Sequence, residues 1–147
     1  MPAARAVSSE APSRPRVRDQ MIDYAERNTV INLSCRRVYI AGPMTGVAEL
    51  NRPAFFAAEE YLKGQGAIVM NPAVLPDGFE HHQYMKIAIP MLMQCDVAAF
   101  LPGWQESKGA RVEFTRSRAF ALIQVALNMG KPVEGKPWVV SHKALLV

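Results

Sequence analysis

Three short runs of β-forming residues, each closed by a proline-bearing stop, constrain this chain most. They are Val38-Tyr-Ile-Ala41 before Gly42-Pro43, Ala67-Ile-Val-Met70 before Asn71-Pro72, and Val97 to Leu101 before Pro102-Gly103. An apolar run without polar alternation is the pattern of a strand buried on both faces. Helical segments lie between the runs. Pro53 suits a first helical turn, Phe55, Phe56, Ala58, Tyr61 and Leu62 supply apolar positions up to about Lys63, and Gly64 and Gly66 end the helix. A second helix is predicted from about Gln83 to Gln94, with Pro90 kinking it or shifting its start. Ser107 caps a third, predicted to run to about Asn128 ahead of Gly130. Apolar runs at Val133 and at Trp138 to Val140 supply one or two more strands. The order βαβαβαβ implies an α/β fold. We expect a doubly wound, Rossmann- or flavodoxin-like parallel sheet of four to five strands, with flanking helices.

The chain of 147 residues fits one domain, expected over 37–147, behind a flexible leader at 1–36 with a short helix at about 19–28. The formal net charge of +4 is unevenly spread: residues 1–37 hold seven Lys and Arg against four Asp and Glu, the rest ten against nine. The folded body is therefore nearly neutral, and no basic face for polymeric nucleic acid is indicated. The longest apolar run, Ile87 to Met93, is far shorter than a membrane span, and the arginines of the leader precede no apolar core of a secretory signal. Two cysteines without a CxxC, and three scattered histidines, argue against a metal site and suit a reducing cytoplasm. No cofactor is expected.

In an open parallel sheet, ligands bind beyond the C-terminal strand ends. Three loops arrive there: Gly42 to Gly46, Asn71 to His82, and Pro102 to Gly109. The third leads into a helix whose first N–H groups and dipole favour an anion, with Ser107, Gly109, Lys108 and Arg111 close by. Glu113 lies one helical turn after Gly109. A carboxylate there is either a surface helix residue pairing Arg116 or Arg118, or a nucleophile able to attack a sugar C1 as the bond to a base breaks.

Tyr39-Ile-Ala-Gly-Pro-Met-Thr-Gly46, Cys95-Asp96 and Pro102-Gly-Trp-x-x-Ser-x-Gly-Ala-x-x-Glu113 together resemble the nucleoside 2-deoxyribosyltransferase-like superfamily, in its small phage and bacterial branch. The resemblance covers roughly residues 37–133. It implies that Tyr39, Gly42, Pro43 and Met44 border the sugar and base, and that Glu113 is the nucleophile. It implies that Ser107, with the Gly109 and Ala110 amides, receives a 5′-phosphate, because nucleoside-using members carry Asp where Ser107 stands. Trp104 is placed to stack on a base or to pack on its own domain. The family often carries an acid eight residues before Asp96, and here that residue is Ala88. Asp96 falls at the far end of its strand, a structural position. Asp77 and Glu80 are better placed as substitute acids. Asn51 suits a helix cap, Arg52 and the His81-His82 pair suit polar surface, and Met85, Met91 and Met93 suit core or subunit-interface packing.

The expected activity is N-glycosidase or deoxyribosyltransferase action on a 2′-deoxynucleoside 5′-monophosphate, by a homo-oligomer whose partner is that small molecule, not polymeric nucleic acid or a membrane. A catalytically silent nucleotide-binding protein is the alternative that Ala88 motivates. A phosphoribohydrolase of the cytokinin-activating type fits the motif less well, since its Pro-Gly-Gly-x-Gly-Thr-x-x-Glu is interrupted here.

Overall fold

A computed structural model describes residues 31–130 and 138–145. The expected leader helix and the run at Val133 lie outside these residues. Five strands form one sheet in the order β2-β1-β3-β4-β5: β1 (Arg37–Ala41), β2 (Ile68–Met70), β3 (Val97–Phe100), β4 (Ile123–Gly130) and β5 (Val139–Ala144). The helices are α1 (Arg52–Gly64), α2 (His81–Met93) and α3 (Lys108–Ala119). Strands β1 to β4 run parallel, with Tyr39 paired to Met70 on one side and to Ala98 on the other. This is the α/β, flavodoxin-like architecture expected from the alternation of runs.

The side chains of β1 and β3 alternate between two cores. Val38, Ile40, Val97, Ala99 and Leu101 meet Ala54, Phe55, Ala58 and Leu62 of α1. Tyr39, Ala41, Ala98 and Phe100 meet Ala88 and Leu92 of α2, with Phe114 of α3 packed alongside. Both faces are thus covered, which is why these strands read as continuous apolar runs. Among the described residues, no helix is long and apolar enough to cross a membrane.

Two expectations are corrected. The third helix ends at Ala119, not near Asn128, and residues 123–130 form β4. Ala121 takes a left-handed conformation (φ 60°), its N–H donates to the Arg118 carbonyl, and the Leu122 N–H reaches back to Ser117. This is a Schellman closure with alanine where glycine is usual. The last strand is also antiparallel: β5 pairs with β4, Leu127 facing His142, so only four strands are parallel. Helix α2 starts two residues earlier than expected and continues through Pro90, which lies in its last turn. There the missing N–H removes a single intrahelical bond.

At the β5 side, His142 is buried between two partners. Its Nε2 lies 2.8 Å from the Ile31 carbonyl, and its Nδ1 lies 2.5 Å from the Tyr61 hydroxyl. A carbonyl only accepts, so Nε2 carries a proton; in the neutral ring Nδ1 then accepts from Tyr61. This contact ties the start of the described chain and α1 to the last strand.

Candidate functional site

The sheet order reverses direction between β1 and β3. Chain leaves β1 toward β2 on one side and returns to β3 on the other, opening a crevice beyond their C-terminal ends. The loop walls of that crevice are held close. A Cβ added at Gly42 would lie 2.7 Å from Leu101 Cβ, so only glycine lets the two strand ends approach this far. Gly103 adopts φ 85° within reach of the Pro43 ring. The Asn51 side chain donates to the Pro43 carbonyl at 2.9 Å; it fixes the loop rather than capping α1. The residues before α1 are unusual: Glu49, Leu50 and Asn51 all have positive φ, forming a left-handed turn.

Helix α3 presents a buried stripe of Ala110, Glu113 and Ser117 toward the sheet, at the i, i+3, i+7 spacing of one helical face. Alternation along β1 turns Tyr39 toward the same side. The two meet: the Tyr39 hydroxyl donates to Glu113 Oε2. Tyr39 is fully buried, whereas Glu113 retains 6% exposure, so solvent reaches the pair from the glutamate side. Burial pushes the Glu113 carboxyl up to about 7, against the opposing pull of the Tyr39 hydrogen bond. Burial, and then the neighbouring Glu113 charge, push the Tyr39 phenol well above its ordinary value, so it remains the donor. Among the described residues no Lys, Arg or His pairs with Glu113. An equilibrium between its protonated and ionised forms therefore falls in the neutral range.

One turn before Glu113, the N-terminus of α3 opens on the same crevice. The Ser107 hydroxyl accepts from the Ala110 N–H at 3.2 Å, the cap expected from sequence. That bond occupies the Ala110 amide, which is itself buried, so Ala110 serves the cap and not a ligand. Gly109 remains beneath His81 and Met85 of α2: a Cβ there would meet His81 Cε1 at 3.3 Å and Met85 Sδ at 3.4 Å. The position of His81 over Gly109 has no signal in the sequence, because it depends on how α2 and α3 pack. The Arg111 guanidinium turns back to the Gln105 carbonyl at 3.0 Å and braces the β3–α3 loop.

Other expected residues lie elsewhere. Met44 packs against the core on the α1 side, away from Tyr39. The Trp104 ring stacks on Phe114 with centroids 4.6 Å apart and leans on Phe100, forming an aromatic cluster beneath the loop. The face of Trp104 stacked on Phe114 is not offered to a base. Asp77 is held by Arg52 at 2.5 Å, and Arg52 also donates to the Ala73 and Leu75 carbonyls. Glu80 forms the capping box of α2. Among the described residues, neither acid hydrogen-bonds to Tyr39 or Glu113. Asp96 accepts from the Arg37 backbone and guanidinium at the N-terminal edge of the sheet, the structural position expected. Burial works to raise its carboxyl, but the Arg37 hydrogen bonds and charge hold it below the usual range. Ala88 stands in the apolar cluster that surrounds Tyr39. A separate groove of about 1040 Å³ lies between α1 and β5, lined by Phe56, Tyr61, Trp138 and Val140 among others, and contains none of the expected site residues.

A search of curated proteins gives no match to this chain. A family model described as a domain of unknown function, DUF4406, matches residues 36–126. The matched span contains β1 through the first half of β4, and with them Tyr39, Gly42, Ser107, Gly109 and Glu113. The chain belongs to the DUF4406 family.

Proposed function

We propose that this protein cleaves the N-glycosidic bond of a 2′-deoxynucleoside 5′-monophosphate, as an N-glycosidase or deoxyribosyltransferase of the nucleoside 2-deoxyribosyltransferase-like superfamily. One observation carries the reading: a buried, cation-free Glu113, oriented by Tyr39, lies one turn from a serine-capped helix N-terminus at the switch point of the sheet. A Glu113 oxygen attacks C1′ as the bond to the base breaks, and the sugar becomes an ester of the enzyme. Water then returns the sugar phosphate and the carboxylate; a second base gives transfer instead. Ser107 and the free N–H groups at the start of α3 receive the phosphate. The protein works in the cytoplasm as a homo-oligomer, and its partner is this small molecule.

Base release from 2′-deoxynucleoside 5′-monophosphates, followed by chromatography, tests the reading. Release that is lost in Glu113→Ala and shifts toward unphosphorylated nucleosides in Ser107→Asp supports it. No release by folded protein from any nucleotide or nucleoside overturns it. The second reading, a nucleotide-binding protein without turnover, is favoured by the apolar Ala88 beside Tyr39, and tight stoichiometric binding without base release would establish it.

A further inference from the structure

We propose that His81 is a specificity-determining residue of this site: from the first turn of α2 its imidazole reaches the 5′-phosphate seated on the first turn of α3, and so selects nucleotides over nucleosides. The proposal rests on the reading above and names the side chain that recognises the phosphate end of that same site.

The phase of α2 puts the ring there. His81, Met85, Ala88 and Leu92 recur at spacings of four, three and four, which is one helical face. The inner half of that face, Ala88 and Leu92, packs in the cluster around Tyr39. The outer half meets α3. A Cβ at Gly109 would lie 3.3 Å from His81 Cε1 and 3.4 Å from Met85 Sδ, and outside α3 itself no other group of the described residues comes within 4 Å. Glycine at this position is what lets the imidazole lie against the first turn of the helix that carries Glu113.

The groups around the ring suit an anion. The imidazole is exposed, and among the described residues it forms no ion pair. Arg111 turns its guanidinium to the Gln105 carbonyl, and Glu80 is engaged in the cap of α2. Lys108, the first residue of α3, adds its charge from the exposed side. The Ser107 hydroxyl takes the Ala110 N–H, whereas the Lys108 and Gly109 N–H groups precede any carbonyl of the helix that could accept them. A donor on the imidazole thus stands beside two donors of the backbone, and convergent donors of this kind suit one acceptor of high charge.

Depth assigns the ring to the phosphate and not to the reacting carbon. Glu113 follows Gly109 by four residues, about 6 Å along the helix axis. In a nucleoside 5′-phosphate, phosphorus and C1′ lie at opposite ends of the sugar, a separation of the same order. With C1′ at Glu113, the phosphate comes level with Gly109 and with His81. A contact to the phosphate is made equally before and during bond cleavage, so its loss raises KM and leaves kcat in place.

The test measures base release from the four 2′-deoxynucleoside 5′-monophosphates and from the matching nucleosides. The parent protein is compared with His81→Ala and His82→Ala, each checked for folding by thermal denaturation. The expected result is that His81→Ala loses about tenfold or more in kcat/KM on the monophosphates, through KM, with the nucleosides unchanged. His82→Ala removes the same ring from the neighbouring exposed position and leaves both substrates unchanged. Five outcomes would overturn the proposal and leave the glycosidase reading standing: a parent protein that prefers nucleosides, no loss in His81→Ala, equal losses on both substrates, a fall in kcat alone, or the same loss in His82→Ala. A parent protein that releases no base overturns the glycosidase reading, and calorimetry on the same pairs then decides the proposal. Monophosphate binding weakened about tenfold in His81→Ala, with nucleoside binding unchanged, would support it, and any other result, including no binding, would overturn it.

Discussion

Tyr39 and Glu113, 74 positions apart in the chain, share a hydrogen bond across the interface between β1 and α3. The bond links an inner strand of the sheet to the helix that leaves the crevice. The protonation of one buried carboxyl therefore reports on packing as well as on chemistry.

Replacing that carboxyl tests its cost to the fold. Unfolded, Glu113 titrates near its ordinary value of 4.5; folded, near 7. Between these values the folded state holds the extra proton, so stability falls as pH rises through this window. Glu113→Gln keeps the shape and removes the titration. Its stability relative to the parent protein is expected to improve between pH 5 and pH 8, by on the order of 2 kcal/mol. Urea denaturation at both pH values measures it, and an equal difference at the two would contradict the burial argument.

Tyr39→Phe removes the donor that favours ionised Glu113. The carboxyl then moves above 7, and the alkaline rise of Glu113-dependent base release shifts to higher pH. The lost charge-assisted bond costs about 2 kcal/mol of stability. A pH–rate profile and a denaturation curve separate the two effects. An unmoved profile would remove Tyr39 from any role in setting the charge of Glu113.

Gly42→Ala places a methyl group against Leu101 where 2.7 Å is available. The strand ends must part, and a loss of about 1–3 kcal/mol is expected. The same substitution at Gly46, which has open space but φ 82°, strains only the backbone. Comparing the two melting temperatures distinguishes close packing from conformation as the reason for glycine.

Tyr61→Phe leaves the buried His142 Nδ1 without its donor while Nε2 still meets the Ile31 carbonyl. The expected loss is about 1–3 kcal/mol, with base release unchanged, because the pair lies on the sheet face opposite Glu113. A stability change below about 0.5 kcal/mol would show that this ring is not held by Tyr61.

The first three strands and first two helices are legible in the sequence because each strand run ends at a residue that stops it. Strand β4 is not. Its residues Gln124, Ala126, Leu127 and Met129 are comfortable in a helix, and no Gly or Pro separates them from α3. The break is made by Ala121, which carries no local warning of a left-handed conformation. In the site, Ser107 and Glu113 stand out by their positions relative to a helix start. The orientations of Met44 and Trp104 do not: a loop side chain turns toward ligand or core according to what lies beneath it, and Phe114 lies beneath Trp104. The Tyr39–Glu113 pairing needs the phase of β1 and of α3 together, and only tertiary packing brings the two phases into agreement.

The left-handed turn at Glu49, Leu50 and Asn51 has a mechanical meaning. Side chains disfavour that conformation by about 1–2 kcal/mol per residue, so the segment between the Gly42-Pro43 wall and α1 is a wound spring. The Asn51 amide, hooked on the Pro43 carbonyl, is its catch.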